Sequence, residues 1–255
     1  MSMNLRLTLT GHVMEMFKLM TKVNSEGQMQ CTEDTFELLA MDKQCCTLYR
    51  MHVRAGCDYH CTKPVQGLFH VRQLLDIIQY SKDAVLELST NEGEHHVTVL
   101  VVRIDGTVRD GKVTLLPLDN HIQMPIVIND LIVHHELPVN LLKTRLLHMK
   151  QFGKVEFVAC TTGTELCIKH SSEAQITVKQ NEQSGKWTTC AVGEASVGNG
   201  TQRVAVDNRL LNDRLRPIAT KVELSMKNNF PLMMKYSVGT ECVFDVVVMQ
   251  CEADE

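Results

Sequence analysis

Four stretches of the chain place apolar residues at helical spacing, and the chain between them alternates. From about Thr10 to Val23, Val13, Met16, Phe17, Met20 and Val23 recur every three or four positions, while Lys18 and Lys22 share another face. A second helical stretch runs from about Val71 to Lys82, with Leu74, Leu75, Ile77 and Ile78 apolar and Arg72, Asp76 and Gln79 outward. The third opens at Pro138, a favoured first helical residue, and continues through Leu141, Leu142, Leu146 and Leu147 to Lys150. The fourth begins at the N-cap candidate Asp207, carries Leu210, Leu211 and Leu215, and is expected to end near Pro217. Segments such as Val97-Thr98-Val99, Val155-Glu156-Phe157, Ile176-Thr177-Val178 and Val222-Glu223-Leu224 alternate like half-buried strands. The predicted order is helix, strands, helix, strands, and then the same again.

Short echoes agree with a duplication. Glu87-Leu88-Ser89 returns as Glu223-Leu224-Ser225 and Leu74-Leu75 as Leu210-Leu211, both 136 positions on. Glu37-Leu38 with Glu165-Leu166, and Lys22 with Lys150, repeat at 128. Periods of this size imply two domains of one kind rather than a solenoid of short repeats. A chain of 255 residues suits two such domains.

The hydrophobic fraction of 44% and charged fraction of 22% are those of a soluble globular protein. No apolar run is long enough for a membrane span and no signal-peptide pattern is present, so the expectation is an intracellular protein with no membrane role. The ten cysteines then read as reduced and mostly buried thiols. Charge is unevenly spread: windows 10–23, 71–82, 138–150 and 207–221 carry +1, +1, +3 and +2, whereas the whole chain is −4 and the remainder therefore −11. Basic helices on an acidic protein suit a polyanionic partner. Lys and Arg that merely solvate exposed helix faces give the same pattern on any single helix, and only its repetition favours the functional reading.

Signals for catalysis are weak. Cys57 and Cys61 flank His60, with His52 and His70 nearby, but the cysteines are three residues apart rather than two and no second ligand pair follows. The doublets His95-His96 and His134-His135 direct adjacent side chains to opposite faces of a strand, a poor geometry for one ion. No phosphate-binding glycine loop, nucleophile elbow or paired-carboxylate motif occurs. The reading is therefore not an enzyme, with no cofactor and no metal site; a metal-dependent enzyme is the distant alternative.

Several segments resemble one family. Glu37-Leu38-Leu39-Ala40-Met41-Asp42 followed by Cys46-Thr47-Leu48, then Tyr59-His60-Cys61, Gly67, Leu74-Leu75 and Ile78, is similar to the first domain of the proliferating cell nuclear antigen (PCNA) type of DNA sliding clamp. Val222-Glu223-Leu224-Ser225-Met226 with Phe230-Pro231-Leu232 and Lys235-Tyr236 resembles the C-terminal segment of the same clamps. The resemblance implies an α+β chain with two similar domains of the DNA-clamp fold. These are duplicated βαβββ units with helices inside and antiparallel sheets outside, in a closed homotrimeric ring. The domains would be 1–117 and 127–255, joined by a connector at 118–126. It further implies a nuclear processivity factor for DNA replication and repair, or its counterpart at the replication site of a virus. That factor encircles double-stranded DNA without reading sequence, is placed there by a clamp loader, and tethers DNA polymerase and other clamp-binding peptides. Candidates for the DNA-facing surface are Lys18, Lys22, Arg72, Lys82, Lys143, Arg145, Lys150, Arg209, Arg214, Arg216 and Lys221. The partner-peptide groove would use Met41, Ile122, Met124, Pro125, Pro231, Val247 and Met249, and the subunit interface Val113, Leu115, Ile176 and Val178. The chain departs from the family where Val246, Val247, Met249 and Gln250 replace the usual aromatic and Ala-Pro positions, and where Thr161-Thr162-Gly163 stands in place of a modifiable lysine before an Asp-Gly turn. A subunit of a heterotrimeric checkpoint clamp is the nearer alternative.

Overall fold

The structure is a computed structural model and describes residues 2–54, 59–79, 81, 83–118, 133–159, 165–170, 175–180, 187–190, 201–215, 218–238 and 242–250. The described residues are mixed α and β, mostly antiparallel sheet with four short helices. No helix among them is long and apolar enough to cross a membrane. The chain divides into two compact units, Met1–Met124 with Ser237–Asp245, and Pro125–Tyr236 with Val246–Glu255.

The first unit contains β1 (Met3–Thr8), α1 (Gly11–Val23), β2 (Gly27–Cys31), β3 (Thr35–Met41), β4 (Thr47–Arg54), β5 (Tyr59–Cys61), β6 (Val65–Phe69), α2 (Val71–Ile78), β7 (Val85–Thr90), β8 (His96–Val102) and β9 (Val108–Leu116). Its strands are ordered β4-β3-β2-β6-β9-β8-β7-β1-β5, with antiparallel ladders throughout. Alternation sets which face is covered: in β7 Leu86, Leu88 and Thr90 are buried, and in β8 Val97, Val99 and Val101. α1 buries Val13, Met14, Met16, Phe17, Leu19, Met20 and Val23, and α2 buries Val71, Leu74 and Ile78. The two helices pack side by side.

The second unit contains β10 (Val133–Pro138), α3 (Val139–His148), β11 (Lys154–Ala159), β12 (Glu165–Lys169), β13 (Gln175–Gln180), β14 (Trp187–Cys190), β15 (Gln202–Asp207), α4 (Asn208–Arg214), β16 (Lys221–Met226), β17 (Leu232–Val238) and β18 (Cys242–Val248), the last two shared with the first unit through Ser237–Asp245. One of its ladders runs β14-β13-β12-β11-β15, and β10 pairs with β16 and β16 with β17. Asn208 is fully buried and its Nδ2 donates to the carbonyls of Met149 (2.7 Å) and Phe152 (3.4 Å), tying the start of α4 to the end of α3.

Among the described residues both units follow one order of eleven elements, β1-α1-β2 through β9 and β10-α3-β11 through β18. Their internal wiring repeats as well. The Leu9 N–H donates to the Ala84 carbonyl at 2.8 Å, and that of Val139 to Thr220 at 3.1 Å. Arg72 donates to Ser25 at 3.1 Å and Asn208 to Gly153 at 2.9 Å; Gln79 donates to Leu75 at 2.8 Å and Leu215 to Leu211 at 2.9 Å. The last pair of bonds preserves the 136-residue offset of the leucine echo at both ends, and the pair before it joins donors 136 apart to acceptors 128 apart, the two offsets seen in the echoes.

Helix α1 runs to Val23 with Thr10 as its cap, as its periodicity predicts, whereas the other three helices are shorter than predicted. α2 stops at Ile78 instead of Lys82, because Gln79 is extended and Asp83 takes a left-handed φ of 63° in the turn into β7. Pro138 is the N-cap of α3 and the last residue of β10 rather than a helical residue, and Lys150 lies in the turn beyond α3. α4 ends at Arg214, with Leu215 already extended ahead of Pro217. Of the cysteines with described side chains, Cys31, Cys61, Cys167 and Cys242 are buried.

Candidate nucleic-acid interface and assembly edges

Helix α1 is held by its Thr10 cap, whose Oγ1 accepts from the Val13 N–H at 3.2 Å, and turns Lys18 and Lys22 to solvent. Lys18 is compromised as a phosphate contact because Glu15 holds its Nζ at 2.8 Å. On α2, Arg72 is likewise exposed and faces Asp76 at 3.4 Å. Lys22, Lys150 and Arg209 are exposed without an ion-pair partner among the described residues. Lys143 and Arg145 are half-buried, and the Arg145 Nε is buried with no hydrogen-bond acceptor among the described residues. Lys221 opens strand β16, where its Nζ meets Glu136 across the ladder to β10, so it does not extend the basic face of α4. Arg214 belongs to α4, but its side chain is outside the description; Lys82 and Arg216 lie outside the described residues. Among the described residues the structure thus brings out three of the eleven candidates as exposed cations with no ion-pair partner. The sequence pattern could not show which lysines and arginines are paired, although Glu15 and Asp76 stand three and four residues from theirs.

Of the groove candidates, Ile122, Met124 and Pro125 lie outside the described residues. Met41 is half-buried at the end of β3, and its carbonyl accepts from Asn24 Nδ2 at 3.3 Å. Pro231 precedes β17 and Met249 follows β18, both half-buried, and Val247 is buried within β18.

The assembly strands behave differently from one another. In β9, Val108–Thr114 pair with β8, and only Leu115 and Leu116 pair with β6 on the other side. The outer edge of 108–113 carries no strand among the described residues, and Val108 is 56% exposed. Val113 and Leu115 themselves are buried within their own unit, opposite Val97 and Phe69. In β13, Ile176 is half-buried opposite Ile168 and Val178 is buried opposite Leu166. The second edge of β13 is occupied by β14, through Thr177↔Cys190, Val178↔Thr189, Lys179↔Thr188 and Gln180↔Trp187. An interface here would be made by backbone edges, and an acid at Val113 or Val178 would test folding before assembly.

A charged cluster missed by sequence reasoning lies where Ser237–Asp245 joins the first unit. Arg50 Nε of β4 meets the buried Asp245 Oδ2 at 2.9 Å, Arg50 Nη1 is 3.9 Å from Glu37 Oε1, and His52 Nδ1 faces Glu37 Oε1 at 3.1 Å. Tyr49 stacks on Phe244 with ring centroids 5.4 Å apart. Hydrogen bonding to His52 is the largest influence on Glu37 and pulls its carboxyl below the ordinary value; burial opposes this and the Arg50 charge adds to it. A lone acid within the apolar run Val243-Phe244-Asp245-Val246-Val247 was the available signal for a buried pair.

Of the zinc candidates, Cys57 lies outside the described residues, His52 and His70 face Glu37 and Glu26, and no group of three or more His, Cys, Asp or Glu with metal-holding geometry occurs among the described residues. Neither the protein-family models nor the curated proteins compared with this sequence match it.

Proposed function

We propose that the chain is a subunit of a ring-shaped DNA sliding clamp similar to the PCNA type, tethering a polymerase and other peptide-bearing partners to duplex DNA. The observation that carries this reading is the repetition of eleven elements and their backbone bonds in two units. Each unit places two neighbouring helices together, and Lys22, Lys150 and Arg209 on or just beyond them are exposed with no ion-pair partner among the described residues. Mobile, solvated cations on helix faces hold phosphate through screened attraction and read no bases, which is what a ring that slides requires. No chemical step and no cofactor is needed.

The wiring of the first unit also supports a ring. There the fourth strand, β4, has the last strand, β18, along its outer edge, through the segment that belongs to that unit. In the repeat, β13 is the counterpart of β4 and β9 the counterpart of β18. Pairing β13 of one copy with β9 of another extends the same junction between chains, covers the open edge of β9, and closes on itself after a fixed number of copies. Met41, Pro231, Val247 and Met249 are the described members of the groove proposed for partner peptides.

Light scattering coupled to size exclusion tests the assembly: the expected species at tens of micromolar is a trimer, on the order of the concentrations at which weak rings assemble. A protein that stays monomeric alone and forms a ring only with unlike subunits would favour the checkpoint-clamp alternative. One that never assembles would remove the reading.

A further inference from the structure

Among the described residues the two units differ in that β6 pairs with β9 whereas β15 ends its sheet without β18, and in where the short fifth strand pairs. Each has a short fifth strand, β5 in the first and β14 in the second. β5 lies on the outer edge of the first strand, with Met3↔Cys61, Asn4↔His60 and Leu5↔Tyr59. β14 lies instead on the fourth strand, β13. The difference follows what else is available to the fourth strand. β4 has β18 on its edge, and β5 is elsewhere; β13 has no such neighbour among the described residues, and β14 folds back onto it. The site β14 would take by analogy is open, since β10 ends its ladder with no strand on its far side among the described residues. The register of β10 is also the right one. Glu136 stands opposite Glu223 as Arg6 stands opposite Glu87, which makes Val133–His135 the counterpart of Met3–Leu5.

We propose that β14 is an exchangeable guard strand: it caps the edge of β13 in the free chain and leaves it, for the open edge of β10, when β9 of a second copy binds there. The proposal rests on the ring reading and deepens it, by giving assembly a step that must precede strand pairing. Four residue pairs hold β14 on β13, whereas the unpaired edge of β9 runs over six residues, Val108–Val113. The incoming strand therefore offers the longer ladder, and the guard keeps an otherwise open edge from indiscriminate pairing until it arrives. Assembly would be slowed but not prevented, because the displaced strand regains pairs at β10.

A single substitution tests this. Thr177 stands directly opposite the native Cys190, so Thr177→Cys allows a cross-strand disulfide that fixes β14 on β13. Light scattering is run on wild type and variant, each under oxidising and reducing conditions, with the bond between position 177 and Cys190 verified by peptide mapping. The proposal expects trimers for wild type in both conditions and for the reduced variant, and monomers for the cross-linked variant. A cross-linked variant that assembles like wild type overturns the guard and leaves the ring reading standing; wild type that never assembles overturns both. Should the bond fail to form, Thr188→Pro and Thr189→Pro, made separately, decide the matter by weakening the β13–β14 ladder. At least one of them is expected to bring the assembly midpoint to a several-fold lower concentration, and unchanged midpoints in both overturn the proposal.

Discussion

At Gly67 the chain cannot accept even a methyl group. A Cβ there would stand 2.5 Å from Leu115 Cδ1 and 2.9 Å from the Leu116 carbonyl, so the closure of β6 against β9 depends on a bare backbone. Gly67→Ala is expected to cost about 1–3 kcal/mol through overpacking, read as a lower urea midpoint with unchanged slope. Glu37 supplies a second test, in pH. Its native carboxyl titrates below the ordinary value, so near and just below that value the unfolded chain binds more protons than the native one. The stabilisation is complete above the ordinary carboxyl value and is lost as pH falls through the depressed one. Glu37→Gln should therefore flatten the acid side of a stability profile measured between about pH 3 and 7, and an unchanged slope would show that the His52 contact does not tune it. Little of this was legible in the sequence, where Glu37 entered only in a dipeptide echo and in the segment that carries the resemblance, and Asp245 only as a lone acid in an apolar run. Its partners His52 and Arg50, and Asp245 on the far side of Arg50, are brought together by the fold, not by proximity along the chain.

The elements were legible in kind and order but not in extent. Apolar spacing found all four helices because each buries a stripe, as α1 does with Val13, Phe17 and Met20. The ends are set by local bonds that periodicity does not contain. Thr10 and Asp207 cap α1 and α4 through side-chain oxygens, at 3.2 Å from the Val13 N–H and 2.9 Å from that of Leu210, whereas His70 and Pro138 offer α2 and α3 no side-chain cap. Thr10→Ala and Asp207→Ala should each cost about 1 kcal/mol, measured by thermal or urea unfolding; a neutral outcome at both would mean that packing alone fixes these helix starts. The echoes were uneven guides. Leu74-Leu75 and Leu210-Leu211 do occupy matching turns, but Glu37-Leu38 and Glu165-Leu166 do not. Cys31↔Phe36 closes a four-residue connection and Ala159↔Leu166 a six-residue one, so the ladder counterpart of Glu37 is Cys167. The even difference preserves which residues face inward, and the misaligned echo therefore still looked like a repeat. β14 had no comparable signal, because Trp187–Cys190 is too short to alternate visibly.

For the molecule as a whole, the proposed function turns on cations that are both exposed and unneutralised, and exposure separates the candidates into sets with different consequences. Lys18, Arg72 and Lys221 already face carboxylates, so removing them changes the field seen by DNA less than their charge suggests. Lys143 and Arg145 are half-buried, and a charge reversal at Arg145, whose Nε is buried, would damage the second unit rather than report on DNA, while Lys82, Arg214 and Arg216 have no described side chain. Lys22, Lys150 and Arg209 remain, and the decisive variant is Lys22→Glu, Lys150→Glu and Arg209→Glu combined. Because exposed charges contribute little to folding, its urea midpoint and its oligomeric mass should match those of wild type. Retention on duplex DNA should fall, most clearly at low ionic strength, and the slope of log affinity against log salt should become shallower as phosphate contacts are lost. Under the proposed function, the processivity of a polymerase tethered by the protein should fall with it. Wild-type retention and salt slope in a correctly assembled triple variant would show that these helix faces do not meet DNA, and the basic helices would then be no more than a solvated surface.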